Sequence, residues 1–502
     1  MTTTDPLPAA DLRGRTFHAT KWASILSVSL QSGRLLLQFV LAGILGPDTF
    51  GLAARVLAVG VMLDMASEFG FIASVIQRKD LTQRHIDTAY WTNLGLSVFV
   101  AFAAFAGVVT YARLEGESEF LDVLRYIVLL PVVLANGNVQ RALLMRDLEF
   151  RGIAFASMAG TVAYISVGTG LALAGAGVWS ILAGFYASHV VTIVFFWRAS
   201  SWRPKFQYGR RELRDLLSFG SFHALSKILS SFARGIDVLL IGNRIDNAAA
   251  GFYSVGMRVA STAGGEVGNV LNNVMFSSFS RIQDDRARMG AVYVRGTRLL
   301  ALVSTAPLVL AYAAVPIIPA ILGDDWSETV AVARVLCFFS MWDAVGGTLV
   351  PPLLSGLGRS DWSFGLAAIR TSLLLVVLLL ALPYGLFWTT VAIAIHQAVC
   401  NLLAQWWVMR AIGVTLESFL WGARGAFTGF GMMAASTHLL EPVLPTGGLW
   451  TFGSAAMLMA INAAAYVIGV SLVDRRAIPD VRDALIGILR SRRGVGRATP
   501  DA

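Results

Sequence analysis

Asp64 and Glu68 stand four residues apart, and Arg234 and Asp237 three apart, inside runs that are otherwise apolar. On a helix either spacing puts the two side chains on one face. Arg34 lies midway along the run before Asp64, and Arg258 lies in the run after Asp237. A charge at the centre of a bilayer costs about 2.5 to 3.5 kcal/mol on insertion scales, so several in one chain imply a wet cavity or partners. Guanidinium suits an anionic ligand in such a place, because it stays charged and grips phosphate oxygens with two parallel hydrogen bonds. Arg34, Arg234 and Arg258 are therefore the candidates for contact with a phosphorylated or acidic substrate. Two roles are open to Asp64, Glu68 and Asp237: positioning those arginines, or binding a coupling proton or sodium ion. A structural role, in which the pairs hold helices together, stands beside both. Arg55 lies on the opposite side of its helix from Asp64 and near the helix end. From there a long side chain is expected to snorkel to water, outside the central group.

Other chemistries find no residues to carry them. The sequence has no P-loop, no Ser/His/Asp set and no His/Cys spacing suited to a metal. Cys337 and Cys400 sit in apolar runs, and His189, His223 and His396 each stand alone. Catalytic residues, metal ligands and cofactors are therefore expected to be none, apart from coupling to a proton or sodium gradient. The net charge of +9 does not point to nucleic acid, because the basic residues are scattered between apolar runs rather than gathered on one soluble face.

The elements that must position these side chains follow from composition. The 502 residues are 56% hydrophobic and 14% charged, with a mean hydropathy of +0.65, whereas a soluble domain carries about 25% charged residues. Most of the chain belongs in lipid, and crossing it takes roughly 20 apolar residues per helix. Fourteen such runs can be read, at 22–45, 52–76, 88–111, 122–145, 153–174, 178–198, 217–242, 250–276, 298–322, 331–355, 362–383, 386–409, 418–440 and 449–472. The polar start MTTTDPLPAADLRGRT carries no cleavable signal, so the first run is expected to stay. Basic residues crowd every second loop, at Arg78 to Arg84, Arg146 to Arg151, Arg198 to Arg214 and Arg281 to Arg295, while "GPDTF", "AGAG", "GDDWSE" and "EPVLPTGG" have none. The positive side faces the cytoplasm, so both termini should be cytoplasmic. The link "SSWRPKFQYGRRELRDLLSFG" and the tail "PDVRDALIGILRSRR" are candidates for helices lying along the membrane surface.

Two segments hint at duplication: "DTFGLAARVLAVG" resembles "NAAAGFYSVGMRVA", with Gly51 and Gly251 200 residues apart. Copies six spans apart share one orientation, which predicts two bundles related by an axis along the membrane normal.

At this point a family resemblance emerges. The run "LAGILGPDTFGL…FGFIASVIQRKDLTQRHIDTAYWTNL", followed by "RALLMRDLEFR", "GVWSILAG", "WRPKF", "GFYSVGMRVA" and "RIQDD", closely resembles bacterial polysaccharide exporters, the flippases of lipid-linked oligosaccharides. Their superfamily also holds the MATE multidrug exporters and the lipid II flippases. The resemblance extends over roughly residues 20 to 410, although "GNRIDNAAAG" is unusually polar for it. It implies an all-α integral membrane protein of about 14 transmembrane helices. Two six-helix lobes, 1–205 and 206–415, would be related by pseudo-twofold symmetry, with extra helices 13 and 14 in 416–475 and a cytoplasmic tail at 476–502. The implied activity is alternating access that moves an undecaprenyl-pyrophosphate-linked oligosaccharide across the bacterial inner membrane, for surface or exopolysaccharide synthesis. The implied partners are the lipid-linked glycan, membrane lipids, and a polysaccharide polymerase with its glycosyltransferases. Two alternatives remain: a multidrug/cation antiporter of the same superfamily, which favours a carboxylate-dominated site, and a membrane glycan polymerase or ligase. The last would build its site on a sizeable loop, and no loop between these runs is long enough.

Overall fold

A backbone surrounded by lipid must satisfy its own hydrogen bonds, and all the regular structure among the described residues is helical. The computed structural model describes residues 9–475 and residue 479, apart from 69–70, 79, 116–117, 219–220, 283–284, 358–359 and 445–448. Side chains are described from Leu37 onward, with those of 217–224 and 265–274 among the exceptions. The side chains of Arg34 and His223 and the tail helix read at 481–495 thus lie outside the described residues.

The chain divides into two compact units, Met1–Gly251 and Phe252–Ala502. The first is built from α1 (Ala9–Glu68), α2 (Phe71–Gln77), α3 (Gln83–Glu115), α4 (Glu119–Ile127), α5 (Leu130–Arg146), α6 (Phe150–Leu173), α7 (Val178–Ala199), α8 (Arg210–Ser218) and α9 (Ser221–Arg244). Helix α10 (Asn247–Arg281) starts in the first unit and continues into the second. There follow α11 (Arg286–Ala314), α12 (Ile317–Leu322), α13 (Glu328–Gly346), α14 (Val350–Gly356), α15 (Ser360–Ala381), α16 (Gly385–Ile412), α17 (Leu416–Leu440) and α18 (Leu449–Val473).

Among the described residues the fourteen apolar runs fall on these helices, and three of the differences have local causes. The first two runs share α1, which breaks at Gly46, where φ is +74°, just before Pro47. Glycine tolerates that φ, and proline cannot donate a backbone hydrogen bond across the break. The fourth run is split between α4 and α5, where Pro131 occupies the first turn of α5. Helix α11 begins at Arg286 rather than near 298, because Asp285 caps it by accepting from the Arg288 amide at 3.0 Å.

Polarity is inverted relative to a soluble protein. On α3, Asn93 and Ser97 are fully buried while Phe99 and Phe102 are 67% and 72% exposed. Eight stretches among the described residues are long and apolar enough to cross a membrane by length and composition. The protein is an all-α, multi-pass membrane protein.

Inside lipid, helices associate through close packing rather than through a hydrophobic drive, and small residues permit the approach. Gly51 and Gly251, the paired glycines of the internal similarity, meet in space. A Cβ on Gly51 would overlap the Asn247 carbonyl, and one on Gly251 would lie 2.5 Å from the Pro47 oxygen. Helix α9 lies on α1 through Gly235, against Ala58 and Met62, and through Gly242, against Arg55. In the second unit α11 is central: Tyr293, Leu300 and Leu308 pack with Met341, Val408, Phe430 and Tyr466. Gly429 and Gly469 bring α17 and α18 together.

Candidate functional site

Glu68 is buried and Asp64 half-buried at the end of α1. A chain of polar groups joins that end to its neighbours. The Ser67 hydroxyl donates to the Asp64 carbonyl at 2.7 Å, Asn93 of α3 donates to the Ser67 carbonyl at 3.0 Å, and Asn138 of α5 donates to Asn93 Oδ1 at 3.2 Å. Gln140, fully buried on α5, has no hydrogen-bond partner for either amide atom among the described residues, and the buried Ser97 hydroxyl has none either. The carboxylates thus sit at the edge of a buried polar band within the first unit.

The second pair lies on α9. Asp237 is buried and its Oδ1 accepts from the Val238 amide at 2.8 Å, while Arg234 is exposed and donates to Ser231 Oγ at 2.9 Å. Gly235, between them, meets Ala58 and Met62, and Gly242 meets Arg55. The two helices are therefore antiparallel, and Arg234 and Asp237 lie at the depth of the turn just before Asp64. The structure thereby brings the Arg234–Asp237 and Asp64–Glu68 pairs onto facing helices. Arg258 is half-buried on α10, in the second unit. Among the described residues no group of three or more His, Cys, Asp or Glu side chains is placed to hold a metal.

The residue that the sequence misplaced is Arg55. Expected to reach water, it is only 6% exposed. Its methylenes lie against Gly242, where any side chain would collide with them, and its guanidinium stacks over the Phe120 ring, 4.3 Å from the centroid. One nitrogen donates to Asn247 Oδ1, and Nε has no partner among the described residues. The cause is the polar junction of α9 and α10: Asn243 near the end of α9 and Asn247 at the start of α10, both in "GNRIDNAAAG", line a pocket that takes in Arg55. The cavity there, about 810 Å³, is also lined by Tyr111, Glu119 and Phe120. A guanidinium, two amides, a carboxylate and two aromatic rings form a set suited to sugar hydroxyls and an acidic group.

In the second unit several embedded charges have polar partners. Arg334 donates to Glu441 at 2.6 Å, Arg298 grips Asp474 at 2.7 and 2.8 Å, and Asn401 donates to Asp343 at 2.6 Å. These contacts fit the structural role weighed for such pairs.

The family described as polysaccharide biosynthesis protein matches residues 40–331, more than half of the chain. The chain belongs to that family. It is 25% identical over 369 residues to the lipopolysaccharide biosynthesis protein WzxC of Escherichia coli (strain K12), covering 72% of this chain and 74% of the relative. It is 27% identical over 406 residues to the succinoglycan biosynthesis transport protein ExoT of Rhizobium meliloti (strain 1021), covering 79% and 78%. Its fold is that of the lipid II flippase MurJ in an inward closed conformation, with a TM-score of 0.70 at 12% identity over 91% of this chain and 99% of that one. An inward-facing multidrug resistance MATE family transporter of the MOP superfamily shares it, with a TM-score of 0.64 at 16% identity over 78% and 98%.

In this member of the polysaccharide biosynthesis protein family, several motifs that carry the likeness interlock at the end of the first unit opposite Arg55. From "RALLMRDLEFR", Arg146 donates to the carbonyls of Val75, Ile76 and Arg78 and so closes the C-terminus of α2. From "WRPKF", Trp202 packs edge-on to Tyr90, the Lys205 carbonyl accepts from Trp91 Nε1 at 2.8 Å, and Phe206 stacks on Trp91. Asp87 accepts from the Lys205 amide and from Gln83. The link continues into α8, whose Leu213 and Leu216 pack on Val75, Ala89 and Ala142. Its polar side is held by Arg78 to Asp215 at 2.9 Å and Arg84 to Glu212 at 3.5 Å. Partial burial pushes the Asp215 carboxyl up, but the hydrogen bonds and charges of Arg78 and His85 outweigh it and hold the group below its ordinary value.

Proposed function

We propose that the protein is a flippase that carries an undecaprenyl-pyrophosphate-linked oligosaccharide across the bacterial inner membrane by alternating access, for surface or exopolysaccharide synthesis. Both termini lie in the cytoplasm, and a polysaccharide polymerase and glycosyltransferases act beside it. The observation that carries this reading is the family match over residues 40–331, with relatives named for lipopolysaccharide biosynthesis and succinoglycan transport. The residues add the chemistry. Arg34, Arg234 and Arg258 engage the pyrophosphate or an acidic sugar, and Asp64, Glu68 and Asp237 position them or take up a coupling proton or sodium ion. Arg55 adds an anion-binding group in a cavity of its own.

Deleting the gene should abolish the surface polysaccharide and trap its lipid-linked precursor inside the cell. Complementation with Arg34→Ala plus Arg234→Ala should fail at normal protein level. Unchanged polysaccharide in the deletion strain would overturn the proposal, and drug resistance conferred by expression would favour the antiporter.

A further inference from the structure

The second unit holds a cavity that no step of glycan export has used. It measures about 750 Å³ and opens where the start of α11, the α16–α17 turn, the first turns of α17 and the end of α18 meet. Arg295, Arg298 and Arg424 line it, and Asp474 is the acidic residue among the lining groups, which leaves a net charge of +2. Arg298 is the one that Asp474 neutralises, through two hydrogen bonds. Arg295 and Arg424 have no carboxylate within ion-pair range among the described residues. The Arg424 guanidinium lies on the Trp421 ring, 3.4 Å from its centroid, and its buried Nε has no acceptor among the described residues. A buried donor without an acceptor costs free energy that an anionic oxygen would recover.

The rest of the lining says what kind of anion belongs there. Val294, Ile412 and Val414 are apolar, and beside the cavity Leu416, Leu420 and Trp421 of α17 are 54%, 46% and 66% exposed, as hydrocarbon-facing residues are. Thr415 caps α17 by accepting from the Ser418 amide, so the positive end of that helix points into the same place. Glu417, in the first turn, is not among the lining residues. A charged head with a greasy attachment fits such a site, whereas a soluble anion leaves the apolar part unused. Basic pockets between helix ends at a membrane boundary recognise anionic lipid headgroups by these means.

We propose that this cavity binds the phosphodiester headgroup of an anionic phospholipid, held by Arg295 and Arg424, with its acyl chains along α17. The site is separate from the export machinery and holds a lipid whether or not glycan is moving.

The test is native mass spectrometry of the delipidated full-length protein titrated with dioleoylphosphatidylglycerol, with dioleoylphosphatidylcholine as the control. One phosphatidylglycerol should bind more tightly than the rest. Arg295→Ala should weaken that step about fivefold, the loss expected for one basic residue beside an anionic head. Arg424→Lys should weaken it too, because it keeps the charge but loses the flat stacking on Trp421. Arg295 is exposed, so its replacement leaves a folded protein, which unchanged thermal melting in phosphatidylcholine will verify. Equal affinity of both variants and the unaltered protein would overturn the proposal, as would equal affinity for phosphatidylcholine. Displacement of the lipid by millimolar inorganic phosphate, or by undecaprenyl phosphate at equal concentration, would also overturn it, since the site would then belong to a soluble anion or to the carrier lipid.

Discussion

A buried guanidinium with no carboxylate against it is costly to fold, because lost hydration is not repaid by an opposite charge. Arg55 is such a group: 6% exposed, with one amide acceptor, an aromatic face and an Nε left over. Where stability alone governs a position, Arg55→Gln should be neutral or stabilising, because it removes the charge and keeps donors for Asn247. Where export governs it, the same change should stop transport. We expect both results together: a melting temperature equal to or above that of the unaltered protein, and loss of surface polysaccharide in the complemented deletion strain. Lower stability with unaltered export would assign Arg55 a packing role only. The Asp64–Glu68 pair contrasts with it, since Ser67, Asn93 and Asn138 tie that stretch of α1 into a polar band shared with α3 and α5.

Elements are held by contacts that are independent of the export chemistry, and α8 is the clearest case. Its apolar residues Leu213 and Leu216 rest on the bundle, and Asp215 anchors its polar side to Arg78 and His85. Because the folded carboxyl titrates below its ordinary value of 3.8, the anchor is fully present above that value and is lost as pH falls through the lower folded value. The stability gap between the unaltered protein and Asp215→Asn should therefore persist from pH 7 to pH 4 and close only below 3.8, as followed by amide protection in α8. This scale was also the most legible in the sequence. The apolar runs lie on helices, and the breaks at Gly46, Pro47 and Pro131 come at residues whose backbone chemistry announces them. The amphipathic segment read in the link became α8. The fate of Arg55 was not legible, because a helical wheel gives the direction of a side chain but not what stands there. Its burial depends on Gly242 and Asn247, nearly two hundred residues away, and only the unusual polarity of "GNRIDN" hinted at them.

At the scale of the whole molecule, the sidedness of the charges predicts which end of the first unit faces the cytoplasm. Helix α3 separates two exposed positions in the first unit: Ser118 precedes α4 beside the Arg55 cavity, and Gln207 lies in the link that covers the other end of α3. Lys and Arg concentrate on the Gln207 side, at Arg78, Arg84, Arg146, Arg203 and Lys205, and basic loops stay in the cytoplasm. A reporter fused at Gln207 should then be active only inside the cell and one at Ser118 only outside. That result would put the Arg55 cavity on the exit side, where an acidic glycan arrives after crossing and where a bound anion delays its return. The opposite labelling would make the same cavity an entry site facing the cytoplasm, and would reverse the direction in which Arg55 acts.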